Sequence, residues 1–166
     1  MEKVIAYYDE NADEFWYSLA YYDKLYKMGR IKGKNVFISK EEALYLLEQK
    51  KIIIKYDENT IISTKEFLKS FNIDIRYFLA IKDLRNRGYY LDHHEKFILI
   101  HEKGDRNNPK YLCIPIFENE KIYIDKILDM IGVAKKFGTK LLLAIIDLES
   151  DIVYYEIFYS KLNFIK

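Results

Sequence analysis

The stretch that most constrains the fold of this chain lies near its C-terminus, at residues 140–157, and reads KLLLAIIDLESDIVYYEI. It begins with Lys140, and the next six residues are all apolar, which is typical of a β-strand buried on both faces. A short polar segment, DLES, follows, and residues 152–158 are then rich in tyrosine and β-branched residues, which favour strands. The pattern predicts a β-hairpin with a lysine at its start and carboxylates at its tip.

The first half of the chain predicts a small unit of short strands and helices. Three apolar runs are predicted strands, at residues 4–8, 36–38 and 52–54. We expect the aromatic segment 15–28 to be helical. Ser39 with Glu42 and Ser63 with Glu66 have the spacing of capping boxes, in which serine and glutamate side chains satisfy backbone amides at the start of a helix. Two further helices are therefore predicted, each following one of these serines.

The second half predicts a helix, three strands, another helix and the C-terminal hairpin. The first helix begins at Asp74 and ends at Gly88, a residue that readily adopts the left-handed conformation of a helix end. The strands and the second helix are expected at residues 89–91, 97–101, 111–117 and 122–137. The fold class is therefore α+β, with a small N-terminal α+β domain at 1–73 and a C-terminal mixed-sheet domain at 74–166.

Charge balance limits how this chain could contact nucleic acid. It has 27 basic and 26 acidic residues, so any RNA contact must come from a local patch or from a partner chain. Lys82, Arg85 and Arg87, toward the end of the predicted 74–88 helix, are the candidate RNA-binding residues. The alternative is an ordinary solvated helix face.

Cysteine usage and hydropathy bear on the compartment. Cys113 is the single cysteine, so no internal disulfide can form, and an intracellular, cytoplasmic location is expected. The sequence has no signal-peptide pattern and no apolar run of membrane-spanning length, so we expect no membrane partner. It also lacks a glycine-rich phosphate loop and zinc-ligand spacing, so neither a metal nor a cofactor is expected.

Four segments together resemble the archaeal tRNA-splicing endonuclease family. They are EALYLLEQKKI at 42–52, YFLAIKDLRNRGYY at 77–90, KFILI at 96–100 and the hairpin sequence at 140–157. The resemblance implies an endonuclease-like C-terminal domain that cleaves RNA without a metal. In that reaction the ribose 2′-hydroxyl attacks the adjacent phosphate, leaving a 2′,3′-cyclic phosphate and a 5′-hydroxyl. Such chemistry needs a proton acceptor, a proton donor and a cation beside the phosphate.

The family assigns these roles to a tyrosine, a histidine and a lysine, and the resemblance indicates the corresponding positions in this chain. Lys140 stands at the lysine position. His101 stands at the tyrosine position, and Asn108, or Pro109 if the register slips by one residue, stands at the histidine position. Neither asparagine nor proline can act as a general acid at neutral pH. We interpret the triad as incomplete, with His101 either a substitute acid or base or a residue without a catalytic role.

The resemblance also implies a role for a chain of this family that does not catalyse cleavage itself. Some family members form heterotetramers of two catalytic and two structural subunits, and an incomplete triad fits the structural subunit. This chain would then bind a catalytic partner and help to hold precursor tRNA at its intron–exon junctions. One alternative is a catalytically active homo-oligomeric endonuclease that uses His101 and Lys140. A second alternative is an RNA-binding assembly module that does not cleave.

Two assembly surfaces follow from the resemblance: an acidic loop that inserts into a basic cleft of another subunit, and C-terminal strands that pair across an interface. Three carboxylates within five residues repel one another unless they are solvated or met by cations, and a solvated hairpin tip is the alternative. The candidate interface residues are Asp147, Glu149 and Asp151 in the loop and Val153, Tyr155 and Ile157 on the strand.

Overall fold

Two β-sheets organise the chain, one in each half, and the computed structural model describes residues 3–159. The first sheet has the strand order β3-β4-β2-β1-β5-β6 and contains β1 (Val4–Asp9), β2 (Glu14–Ser18), β3 (Arg30–Lys32), β4 (Asn35–Ile38), β5 (Ile52–Tyr56) and β6 (Asn59–Ile61). The second sheet has the order β11-β10-β9-β8-β7 and contains β7 (Tyr90–His94), β8 (Phe97–His101), β9 (Pro109–Phe117), β10 (Lys140–Ile146) and β11 (Ile152–Ile157). Both sheets are mixed, because β1 pairs with β5 and β9 with β10 in parallel.

Four α-helices accompany the sheets in the described residues, and the α+β class is confirmed. They are α1 (Lys40–Glu48), α2 (Thr64–Ser70), α3 (Ile75–Asn86) and α4 (Ile124–Lys136). The predicted hairpin at 140–157 is also confirmed, since β10 and β11 pair antiparallel from Leu141 opposite Ile157 to Ile146 opposite Ile152. Within residues 3–159, none of the helices combines the length and the apolar character needed to cross a bilayer.

The prediction of a helix over residues 15–28 is wrong. Glu14–Ser18 is a strand, in which Phe15 and Tyr17 are fully buried while Trp16 between them faces the other side of the sheet. This two-residue alternation is that of a strand, and a helix would repeat every 3.6 residues. A single 3₁₀ turn, Leu19–Tyr21, follows, and the hydroxyl of Tyr17 donates to the carbonyl of Met28 at 2.5 Å. The aromatic residues therefore pack across strands and turns.

One hydrophobic core runs through both halves. Its main cluster extends from Val4 in β1 through Phe78 and Ile81 in α3 to Ala144 in β10. A smaller cluster lies on the opposite face of the second sheet, beneath α4. β10 lies between β9 and β11, so its side chains alternate between these two clusters, as its continuous apolar sequence predicts. The domain boundary between residues 73 and 74 stays a prediction.

The predicted capping box at the start of α1 is confirmed. Ser39 Oγ accepts a hydrogen bond from the amide of Glu42 at 3.1 Å, and a carboxylate oxygen of Glu42 accepts one from the amide of Ser39 at 2.8 Å. Ser39 Oγ also lies 2.7 Å from Nδ1 of the buried His93 on β7. One serine therefore caps a helix of the first half and contacts a strand of the second.

We expect Ser39→Ala to lower the free energy of unfolding by about 2 kcal/mol, near the top of the range for a helix cap. The substitution removes the acceptor for the Glu42 amide and the hydroxyl partner of His93. Urea unfolding followed by circular dichroism measures the loss. Ser63→Ala is the matched control, because Ser63 caps the exposed start of α2 with one longer bond of 3.3 Å to the amide of Glu66. Equal losses in the two variants would contradict the prediction.

Candidate functional site

The three positions that the resemblance assigns to catalysis lie at one edge of the second sheet. β8 ends at His101, whose register partner is Pro109 at the start of β9. Asn108 directly precedes that strand. β10 begins at Lys140, opposite Tyr111 of β9. Because β9 and β10 are parallel and β8 is antiparallel to β9, the end of β8 and the starts of the other two strands meet at the same edge.

His101 is held inside the protein at this edge. Its side chain is only 5% exposed, and Nε2 donates to Oδ2 of Asp92 on the neighbouring strand β7 at 2.8 Å. The other ring nitrogen, Nδ1, is also buried and has no hydrogen-bond partner among the described residues. The imidazole is therefore fixed by a carboxylate, and its second nitrogen has no access to solvent.

Asp92 in turn is bound by Arg106, from the loop between β8 and β9. Arg106 donates to Oδ1 of Asp92 at 2.9 Å and also donates to the carbonyl of Gly29 in the first half of the chain. Burial disfavours the ionised carboxyl of Asp92, but the hydrogen bond from His101 and the charge of Arg106 outweigh it, so the pKa of Asp92 is lowered. The network of His101, Asp92 and Arg106 thus ties the sheet edge to the first half of the chain.

The other two positions face solvent. Asn108 is exposed in the loop and carries an amide, which neither takes up nor releases a proton at neutral pH. The side chain of Lys140 is 60% exposed, and its ammonium lies 2.9 Å from a carboxylate oxygen of Glu156 on β11. The hydrogen bond to Glu156 raises the pKa of Lys140, so the lysine is cationic at neutral pH.

A pocket of about 340 Å³ opens at this edge, and His101 contributes to its wall. Its other lining residues are Tyr89, Glu102, Lys103, Lys110 and Tyr111. Neither Asn108 nor Lys140 lines it. Neither tyrosine was predicted as a site residue. Tyr111 is opposite Lys140 only because β9 and β10 pair in parallel, and Tyr89 lies in the turn between α3 and β7. The pocket offers two phenols, the ammonium group of Lys103, and the ammonium group of Lys110, which is paired with the carboxylate of Glu102.

The candidate loop residues form the tip of the hairpin, but they differ in what they contact. Oδ1 of Asp147 accepts hydrogen bonds from the amides of Glu149 at 2.8 Å and Asp151 at 2.9 Å, so this carboxylate shapes the turn itself. The side chains of Glu149 and Asp151 are exposed and form no ion pair within residues 3–159. Leu148, which directly precedes Glu149, is 87% exposed. Two carboxylates and one apolar side chain at the tip are therefore free to meet a partner.

The candidate strand residues lie on β11, which is the last strand of the second sheet in the described residues. Val153 and Tyr155 are each 54% exposed, while Ile157 packs partly against the cluster beneath α4. Ile152 and Tyr154 on the other face pack against the main core. The strand thus has one buried face, one exposed apolar face and, among the described residues, an unpaired edge on which a further strand can pair.

The candidate RNA-binding residues, two on α3 and Arg87 directly after it, are all engaged within the chain. Lys82 forms an ion pair with Glu48 at 2.7 Å, and Arg87 forms one with Asp83 at 2.9 Å. Arg85 donates to two backbone carbonyls, and its burial lowers the pKa of its guanidinium. A role of these residues toward RNA stays a prediction.

Comparisons with known proteins agree with the resemblance read from the sequence. Residues 2–68 match the model of the tRNA intron endonuclease N-terminal domain, and residues 74–154 match that of the tRNA intron endonuclease catalytic C-terminal domain. The tRNA-splicing endonuclease of Pyrococcus furiosus is 31% identical over 140 residues, which are 80% of this chain and 81% of that protein. The tRNA-splicing endonuclease of Thermococcus kodakarensis is 29% identical over 161 residues, with coverage of 92% and 91%. That of Methanothermobacter thermautotrophicus is 32% identical over 135 residues, with coverage of 76% and 79%. The chain therefore belongs to the tRNA-splicing endonuclease family.

Proposed function

We propose that this chain is a structural subunit of a tRNA-splicing endonuclease. It assembles with a catalytic subunit, two copies of each, and the complex cleaves precursor tRNA at intron–exon junctions to leave 2′,3′-cyclic phosphate and 5′-hydroxyl ends. The observation that carries the proposal is Asn108, an exposed amide at the position where the family uses a histidine. Loss of one proton-transfer group costs about 10²–10⁴-fold in rate.

The surroundings of His101 support the same conclusion. A substitute acid or base needs a free nitrogen within hydrogen-bond reach of the RNA. In this chain Nε2 is bound to Asp92 and Nδ1 is buried, so neither nitrogen is presented to a substrate. His101 therefore joins Asp92 and Arg106 in a structural role, and the alternative of an active homo-oligomer that uses His101 is disfavoured.

The exposed surfaces support assembly. The hairpin tip carries two carboxylates, Glu149 and Asp151, that are unpaired within residues 3–159 and suit a basic cleft on another subunit. The edge of β11 is unpaired in the part of the chain that the structure describes, and with Val153 and Tyr155 exposed beside it this edge suits pairing with a strand of another chain. A subunit that keeps such surfaces and lacks the catalytic histidine can position a catalytic partner.

The experiment is a cleavage assay on an intron-bearing precursor tRNA with this chain alone, its partner alone and the reconstituted complex. We expect Lys140→Ala in this chain to leave the rate of the complex within about twofold, because the lysine is paired with Glu156 and has no proton-transfer partners. Substitution of the matching lysine in the partner is the positive control and should remove cleavage.

The outcomes separate the alternatives. Cleavage by this chain alone at the rate of the complex would overturn the structural assignment, as would a loss of cleavage in the Lys140→Ala complex. RNA binding without cleavage, whichever partner chain is supplied, would favour the non-cleaving assembly module instead.

A further inference from the structure

The outer face of the first sheet carries a row of aromatic and basic side chains that runs straight across its strands. In the register of the sheet, Tyr7 of β1 is opposite both Lys55 of β5 and Trp16 of β2, and Trp16 is opposite Phe37 of β4. Phe37 is in turn opposite Arg30 of β3. Five adjacent strands therefore contribute one residue each, with three aromatic rings between two cations. We call this set the aromatic row.

The rings form a partly exposed, continuous surface. Tyr7 and Trp16 are stacked, with ring centroids 4.7 Å apart and an angle of 22° between their planes. Tyr7 is 38% exposed, and Trp16 and Phe37 are partly exposed. Side chains packed in the core of this domain, such as Phe15 and Tyr17, are fully buried, so the aromatic row is not part of the core.

Positive charge lies on both sides of the rings. Lys32 Nζ is 4.6 Å from the centroid of the Phe37 ring, and Arg30 and Lys32 both reach the carboxylate of Glu14 at one end of the row. Lys55 at the other end forms no ion pair within the described residues. Glu14 offsets one of the two charges of Arg30 and Lys32, so a flexible polyanion that crosses the row would still meet net positive charge before and after the aromatic rings.

The opposite face of the same sheet is the covered one. Alternate residues of these strands, among them Ala6, Phe15 and Val36, belong to the main core, where α1 and α2 also pack. No helix among residues 3–159 packs on the aromatic row, whose rings keep their solvent exposure. The row is therefore an open sheet surface.

We propose that the aromatic row is a binding surface for unpaired RNA nucleotides. Exposed aromatic rings on a sheet stack with bases of single-stranded RNA, and flanking lysine and arginine residues contact the phosphates. Aromatic residues and arginine are enriched at protein–protein interfaces but lysine is depleted there, so Lys32 and Lys55 beside the rings are the residues that favour RNA over a protein partner. The proposal rests on the proposed function in one respect, since it takes the RNA of the complex to include unpaired nucleotides near the cleavage sites.

The sole tryptophan of the chain, Trp16, provides a direct signal. We expect titration of the full chain with a single-stranded oligouridylate RNA to quench the Trp16 fluorescence in a saturable manner, because a base stacks on the indole. Tyr7→Ala should raise the Kd roughly 5- to 150-fold, the effect of losing one stacked base. Tyr7→Phe keeps an aromatic ring at this position and should leave the Kd unchanged. Lys55→Gln should reduce the slope of log K against log salt by about 0.7, the effect of one phosphate contact.

Tyr123→Ala is the matched control, because Tyr123 is a 74% exposed tyrosine before α4, on the other half of the chain. It should bind RNA as the unsubstituted chain does. Binding with no change in Trp16 fluorescence would overturn the proposal, and so would a Tyr7→Ala Kd equal to that of Tyr7→Phe. The surface substitution Lys55→Gln keeps the test valid if Tyr7→Ala does not fold.

The same fluorescence experiment would also detect a protein interface at this face. In that case Trp16 fluorescence would respond to the catalytic partner and not to RNA, and the RNA proposal would be overturned. The cleavage assay reports separately on the structural-subunit assignment, which can hold even when the aromatic row does not bind RNA.

Discussion

Reversing two charges at the tip of the C-terminal hairpin, Glu149→Lys with Asp151→Lys, is expected to separate this chain from the catalytic partner that we propose for it. Both carboxylates are exposed and unpaired within residues 3–159, so they are available to cations of the proposed partner chain. Like charges placed opposite one another cost several kcal/mol, which corresponds to a Kd at least about 100-fold higher. Analytical ultracentrifugation measures the dissociation, and cleavage of precursor tRNA should fall with the amount of complex.

The design leaves Asp147 unchanged, because its carboxylate accepts the amide hydrogen bonds that shape the turn. Its substitution would alter the conformation of the tip as well as its charge. Glu10→Lys with Glu58→Lys is the matched control, since both glutamates are exposed in turns of the first sheet and the change in net charge is the same. A complex of unchanged mass after reversal at the tip would exclude the tip from assembly.

The hairpin could be predicted from sequence because its determinants are local. Six consecutive apolar residues after Lys140 indicate a strand buried on both faces, and β10 is buried between two hydrophobic clusters. Ser39 and Ser63 likewise mark helix starts through hydrogen bonds to residues three positions away. Where the pattern and its physical cause lie within a few residues, the sequence was sufficient to place the element.

The first sheet was harder to predict because its strands depend on distant partners. Arg30–Lys32 and Asn59–Ile61 are only three residues long and mostly polar, and each is a strand through pairing with a neighbour in the sheet. The segment 15–28 has too many aromatic residues for the apolar positions alone to distinguish a strand followed by turns from a helix. Residues Glu14–Ser18 form a strand because β2 pairs antiparallel with both β1 and β4.

The sequence predicted where the candidate site residues lie along the strands, but it did not predict which side chains contact them. His101, Asn108 and Lys140 were placed at strand ends, and the structure brings those ends to one sheet edge. Asp92 lies one strand away, and Arg106 lies in a loop whose sequence indicates only polarity. No local pattern shows that a histidine will meet a carboxylate on one strand and an arginine from a loop, so the network required the tertiary structure.

Asp92→Asn is expected to lower the free energy of unfolding by about 3 kcal/mol, the low end of the cost of breaking a buried ion pair, because the pair of Asp92 with Arg106 is only part-buried. The substitution leaves Arg106, whose side chain is 20% exposed, without a counter-charge and weakens the hydrogen bond to His101. Because the pKa of Asp92 is lowered in the folded state, its stabilisation is present above the unfolded-state pKa of about 3.9 and is lost as the pH falls through the folded-state value. Urea unfolding at pH 7 and in acid should therefore show that the free energies of unfolding of the variant and the unsubstituted chain become more similar as the pH falls.

Glu156→Gln is the matched control, because it makes the same carboxylate-to-amide change in the exposed pair with Lys140 and should alter stability far less. The network also bears on function. If His101 and Asp92 hold the sheet edge in place and take no part in proton transfer, an Asp92→Asn complex kept below its unfolding temperature should cleave precursor tRNA within about twofold of the unsubstituted complex. A loss of cleavage without a loss of stability would contradict this, because it would show that the carboxylate orients His101 for chemistry.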